Sequence, residues 1–120
     1  MTRRAEAQFT IRQWNETNLI EREDGRKLTH AEVIYAYTGA LEGESRVELL
    51  MFYGSDGNAV YSGFEWFIGS LEGKAGEFVL RHKGVFEKGT VKAQWEVVEG
   101  SGGGELDGLN LVGLKRRGVS

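Results

Sequence analysis

The chain has 120 residues, a length at which one domain buries roughly two-thirds of the surface its extended form would expose. A composition of 40% hydrophobic and 28% charged residues argues against a disordered tail, and the lack of cysteine excludes disulfides, thiolate nucleophiles and thiolate metal sites. The net charge of −3, from 15 basic and 18 acidic residues, favours solubility and leaves too little cationic surface to grip a nucleic-acid backbone.

Eighteen glycines fall mostly at the ends of short apolar runs, where sheets need tight turns, and no proline interrupts a strand. The opening MTRRAEAQF lacks the apolar run of a secretory leader, and no stretch approaches the ~20 apolar residues of a spanning helix. The expected setting is therefore cytoplasmic, without a membrane partner.

From Ala5 the chain alternates: Ala5, Ala7, Phe9 and Ile11 face one way, and Glu6, Gln8, Thr10 and Arg12 the other. Asn15 to Gly25 reads as a turn with a short irregular strand around Leu19 and Ile20, closing at Asp24-Gly25. Thr29 to Thr38 places Val33, Tyr35 and Tyr37 on one face, with Ile34 and Ala36 opposite. Arg46 to Tyr53 is almost continuously apolar, and Gly54-Ser55-Asp56-Gly57 turns it into Ala59 to Ile68. Strands over Gly76–His82 and Val91–Val98 follow, then the flexible crossing Gly100–Gly104 and a last strand over Leu106–Leu114. Gly39-Ala40-Leu41-Glu42-Gly43 recurs thirty residues later as Gly69-Ser70-Leu71-Glu72-Gly73, as successive hairpins would produce.

Charge is uneven. Between Ala31 and Val60, Glu32, Glu42, Glu44, Glu48 and Asp56 face one base, Arg46. Arg3 and Arg4 at one end, with Lys115, Arg116 and Arg117 at the other, read as solvated, frayed ends at 1–4 and 116–120. Together the runs predict a single all-β domain over 1–120, a closed or nearly closed antiparallel barrel of about seven or eight strands. A two-sheet sandwich fits the same periodicity.

Phosphate-loop, dinucleotide, zinc-protease and EF-hand signatures are missing, and the two histidines, His30 and His82, show no metal spacing. No cofactor and no metal are expected. The opening strand with Phe9 and Trp14, Gly63-Phe64-Glu65 through Gly69, Phe78 through Gly84, Gly89 through Trp95, and Val97 through Leu109 carry a resemblance over most of the chain. Their layout resembles an uncharacterised bacterial family of short β-barrels related in fold to allene oxide cyclase. That resemblance implies a small antiparallel barrel and a homo-oligomer, but imports no reaction, because shared fold is poor evidence of shared chemistry.

Two residues stand out for chemistry. Glu65 shares a face with Tyr61 and Phe67, and a carboxylate among aromatics suits acid–base work near neutrality. His82 shares parity with Phe78 and Leu80, so its imidazole faces the core. The competing role for both is a hydrogen-bonded strut. Tyr35, Tyr37, Tyr53, Tyr61, Trp66 and Trp95 offer aromatic lining for a ligand, or ordinary packing. Asp107-Gly108 is a flexible peptide open to self-processing, and Lys92 is a candidate for an ion pair or crosslink to Asp107; a plain turn is the simpler role.

The residues thus support a barrel that binds a small apolar or aromatic molecule through Glu65 and His82. A cofactor-free isomerase or cyclase using the same pair, and a structural homo-oligomer, remain as alternatives.

Overall fold

The alternation read from the sequence becomes β1 (Thr2–Glu21), β2 (Lys27–Gly39), β3 (Leu41–Tyr53), β4 (Ala59–Leu71), β5 (Lys74–Glu87), β6 (Thr90–Val97), β7 (Gly103–Gly104) and β8 (Asn110–Gly118). This computed structural model describes the backbone of residues 2–108 and 110–118, and side chains from residue 6 to residue 108. Seven strands lie in the order β6-β5-β4-β3-β2-β1-β8, and β7 pairs with β5. Among the described residues there is no helix, and none long and apolar enough to cross a membrane.

The pairs from β1 through β6 are antiparallel, but β8 runs parallel to β1. This departs from the antiparallel meander expected, because the chain does not return along the edge strand it has just left. After β6 it follows the far half of β5 instead. Val98 donates to Val79 at 2.9 Å, Ser101 Oγ accepts from the Val79 amide at 3.0 Å, and Glu105 donates to Ala75 at 2.9 Å. Leu106 drops into the core, and the chain emerges beside β1. Thr2–Arg4 and Arg116–Gly118 therefore run as strand where frayed ends were expected. The side chains of the basic clusters lie outside the described residues.

The sheet coils but does not close. Among the described residues no hydrogen-bonded pair joins β6 to β8 or β1, so a barrel closed by backbone bonds is not formed. What results is a trough with a concave inner face. Odd-numbered residues of β2, β3 and β4 and even-numbered residues of β5 point into it, as their burial shows. Its lower end is the main core, where Leu41, Leu71, Phe67, Phe78, Tyr37 and Leu106 pack together. Burying each of the two phenylalanines contributes on the order of 2–3 kcal/mol. The two copies of the thirty-residue echo meet here: Leu41 pairs with Leu71 and Gly43 with Gly69, and both leucines are sealed from solvent.

The polar stretch after Trp14 is strand rather than turn. β1 carries irregularities between Ile11 and Gln13 and between Asn18 and Ile20. The first inserts one residue and reverses the alternation. Phe9 is inward before it, and Trp14 and Glu16 oppose the inward Val33 and Ala31 after it. In β4, Gly63 is where β3 and β4 hug most closely: a Cβ there would sit 1.9 Å from the carbonyl oxygen of Glu48. Gly63→Ala is therefore expected to destabilise the fold by about 3 kcal/mol, at the upper end of overpacking costs. The drop should appear as a lower urea midpoint with an unchanged slope, and an unaltered midpoint would contradict the close approach.

Candidate functional site

Glu65 leaves β4 toward the inside of the trough, flanked in register by Val47 and Leu80, and its side chain has no solvent exposure. Such a carboxylate is costly to bury unless its oxygens are bonded. Oε2 accepts a short hydrogen bond from the hydroxyl of Tyr37, and Oε1 lies 2.7 Å from Nε2 of His82. The three side chains come from β2, β4 and β5. Glycines make room for both bonds. Gly63 lies directly across from His82, so no side chain stands between the imidazole and Glu65. Gly43 pairs with both Tyr37 and Gly69, so the phenol can lean across β3.

His82 also lines a pocket of about 340 Å³ in the upper trough. The other walls are apolar or aromatic: Phe9, Trp14, Tyr35, Tyr61 and Trp95, with Val47, Leu49, Met51 and Ala93. Phe9 and Trp14 belong to β1, Ala93 and Trp95 to β6, so the pocket occupies the seam the backbone leaves open. Trp95 is the register partner of His82. Phe9 stacks on Tyr35 with ring centres 4.5 Å apart. Tyr61 lies over Gly84, where a Cβ would meet the ring at 2.4 Å. The size is that of a small-molecule site, and its one basic wall residue is His82.

These positions sort the sequence candidates. Glu65 and His82, whose separation the sequence leaves open, come within 2.7 Å of each other, but only His82 faces the pocket. Tyr35, Tyr61 and Trp95 line it. Tyr37 is buried below, edge-on to Phe67 at 5.6 Å, and acts on Glu65 rather than on the pocket. Trp66 points out of the opposite face and is corrected as a lining residue: it sits one residue from the inward Glu65, so alternation turns it outward. Lys92 and Asp107 are not brought together. Lys92 pairs with Val85, and Asp107 follows the strand paired with Gly76, so nine residues of β5, roughly 30 Å, separate them. Asp107-Gly108 lies in a turn, with Gly108 at φ +75°.

Tyr53 belongs to a second polar group at the upper rim, which the sequence reading missed because the bulge hides the inward parity of Glu16. Glu16 Oε2 accepts from Thr29 Oγ1 and from the Tyr53 hydroxyl, each at 2.7 Å, and Oε1 accepts from the Trp14 indole at 3.2 Å. Glu16 thus orients a pocket wall. Burial alone would raise its carboxyl, but the bonds from Thr29, Tyr53 and Trp14 and the charge of Lys27 hold it below the usual range. Burial, then the bond and charge of Glu16, push the Tyr53 hydroxyl up to about 12.

Outside the trough, His30, Glu32 and Glu48 bring potential metal-ligand atoms within 4.8 Å of one another. Arg46 already supplies the counter-charge there, with Nε 2.7 Å from Glu48 and Nη2 3.7 Å from Glu32.

The rim bonds have opposite pH signatures. A lowered Glu16 stabilises the fold above its unfolded value and loses that contribution as pH falls through its folded one. A raised Tyr53 stabilises below pH ~10 and loses the contribution as pH rises through about 12. Ultraviolet phenolate titration should show Tyr53 ionising near 12, and Glu16→Gln should move that step toward 10. A step unmoved by the substitution would leave burial as its cause and exclude the contribution of Glu16.

The chain matches the family described as "Protein of unknown function (DUF3224)" over residues 5–113. It is similar in structure to a crystal structure from Shewanella oneidensis MR-1, titled as a protein of unknown function from that family. That similarity has a TM-score of 0.68 at 29% sequence identity, covering 83% of this chain and 79% of the other. No curated protein matches. Neither relationship links the chain to allene oxide cyclase, so that part of the expected resemblance gains no support. With 5–113 matched, the chain belongs to the DUF3224 family, whose function is unknown.

Proposed function

We propose that the protein binds a small, largely apolar or aromatic molecule in the seam of the trough, with His82 as the polar anchor and Glu65 as its positioning residue. One observation carries this reading: the imidazole belongs to an aromatic-lined pocket while a fully buried carboxylate holds its Nε2 from behind. With Glu65 ionised, Nε2–H donates to it and Nδ1 remains for the ligand. A hydroxyl or amine on the ligand would donate to neutral Nδ1, whereas a carboxylate or carbonyl would accept from the imidazolium. Aromatic walls supply contact area, and one fixed polar atom supplies orientation.

The probe for this site is 1-anilinonaphthalene-8-sulfonate, an aromatic anion whose emission rises in an apolar pocket. Saturable binding is expected, with transfer from Trp14 and Trp95. Trp95→Ala and His82→Leu should each weaken it by about tenfold or more, equivalent to ~1.4 kcal/mol. Trp66→Ala, on the outer face, should leave it unchanged. Equal weakening by Trp66→Ala, or no saturable binding, would sink the reading. Native mass spectrometry of gently purified protein then identifies any co-purified molecule.

The chain Tyr37–Glu65–His82 also favours a second reading, a cofactor-free isomerase or cyclase. A carboxylate behind an imidazole selects its tautomer and stabilises the imidazolium formed when it takes a proton. On a substrate found through such a bound molecule, Glu65→Gln should lower turnover by about 100-fold while changing ligand affinity little. Turnover that survives the substitution would leave binding alone.

A further inference from the structure

The outer face of the same strands poses a separate question. Phe64, Trp66 and Ile68 stand on the outside of β4 with 51%, 53% and 61% of their surface exposed. Leu50 and Phe52 on β3 extend the patch. A lone soluble domain seldom shows a continuous apolar area beyond a few hundred Å². From β2 to β5, over the nine rows facing residues 60–68, the whole face, charged residues included, spans roughly 600 Å² in projection, given strands about 4.8 Å apart and about 3.3 Å per residue. The exposed apolar side chains form its centre along β4.

We propose that this face binds a second copy of the chain, about a two-fold axis running along β4 between the two sheets. Charge selects both the occupant and the axis. In the row through Phe64, Glu48 lies on one side, bonded to Arg46 and His30, and Arg81 lies on the other, 3.5 Å from Glu96. A partner's charge would therefore join pairs already formed in the chain. A two-fold along β4 sets β3 of one copy against β5 of the other, so Glu48 meets the partner's Arg81 twice and Phe64 meets its own counterpart. A two-fold across the strands at that row would stack Glu48 on Glu48 and Arg81 on Arg81. The aligned arrangement is also how sheets pack face to face. It also sets Glu44 against the partner's Glu77 in the Ile68 row and Glu32 against the partner's Glu96 at the outer margins of the Phe64 row, away from the apolar centre. Arg81 already lies over the Phe64 ring at 5.8 Å, which places its guanidinium beside the apolar centre. A hollow between Ile34, Trp66 and Ile68, floored by residues 43–46, offers a seat for a side chain from the facing sheet.

Sedimentation velocity on the full chain, from low micromolar to its highest soluble concentration, tests this. The expected result is a concentration-dependent dimer. Phe64→Lys combined with Trp66→Lys should give a monomer with an unchanged β-sheet circular dichroism spectrum. Because that pair of changes is drastic, charge reversal provides an independent arm. Arg81→Glu should weaken association about tenfold or more, and adding Glu48→Lys should restore it. A wild-type chain that stays monomeric overturns the proposal, as does a dimer that survives the double lysine variant. A reversal pair that fails to restore association overturns the axis. A monomer that co-sediments with phosphatidylcholine–phosphatidylglycerol vesicles would overturn it in favour of a membrane.

Discussion

A carboxylate sealed from water must be answered by the protein, and in this molecule Glu65 makes that demand. Left bare it would cost several kcal/mol, a large share of the stability of a domain this size. It is met from both sides, by the Tyr37 hydroxyl from β2 and the His82 ring from β5. Those bonds tie four neighbouring strands into one register. A slip of one residue in β4 would drive Trp66 into the core and expose Glu65, losing the packing and the bonds together. The buried carboxyl group thus ties the register of these strands, and it leaves an oriented imidazole on the wall of the trough.

The trough exists because the sheet coils most of the way round and then stops. Closure at the lower end is supplied by the segment after β6, which runs along β5 and seats Leu106 in the core. Higher up, among the described residues, no backbone ladder joins β1 to β6, and the seam is lined by Phe9 and Trp14 from one edge and Trp95 from the other. The bulge in β1 is what allows Phe9 and Trp14 to face the same space, since strict alternation would send one of them outward. Glu16, turned inward by the same irregularity, then holds the Trp14 indole.

Much of this could be read before any coordinates. Two-residue alternation placed Glu65 with Tyr61 and Phe67, and His82 with Phe78 and Leu80, because parity depends only on counting along one strand. That the two meet depends on cross-strand register and on the missing side chain at Gly63, which no single strand encodes. Trp14 and Glu16 escaped because an inserted residue resets the count, and nothing in the polar stretch after Trp14 announces it. Closure was overread for a related reason. Hairpin signals establish which strands are neighbours, but whether the last edge bonds to the first depends on the coil of the sheet and on where β8 docks. Trp66 was the avoidable error: its parity is opposite to Glu65, and only the number of nearby aromatics made it look like lining.

That parity carries the last step. In a half-exposed antiparallel sheet, apolar side chains face the core and polar ones face water. The centre of β4 inverts the pattern, with Phe64 and Trp66 outward and Glu65 inward. A sequence selected only to fold would place a leucine at 65 and polar residues on either side, gaining on both faces. Departures from local consistency of this kind concentrate where a protein does something besides fold. The inward glutamate is accounted for by the imidazole it holds at the pocket, and the outward aromatics are what the proposed second copy would cover. Both exceptions sit on three consecutive residues, so an interface on the outer face would hold in place the strand that positions the inner site.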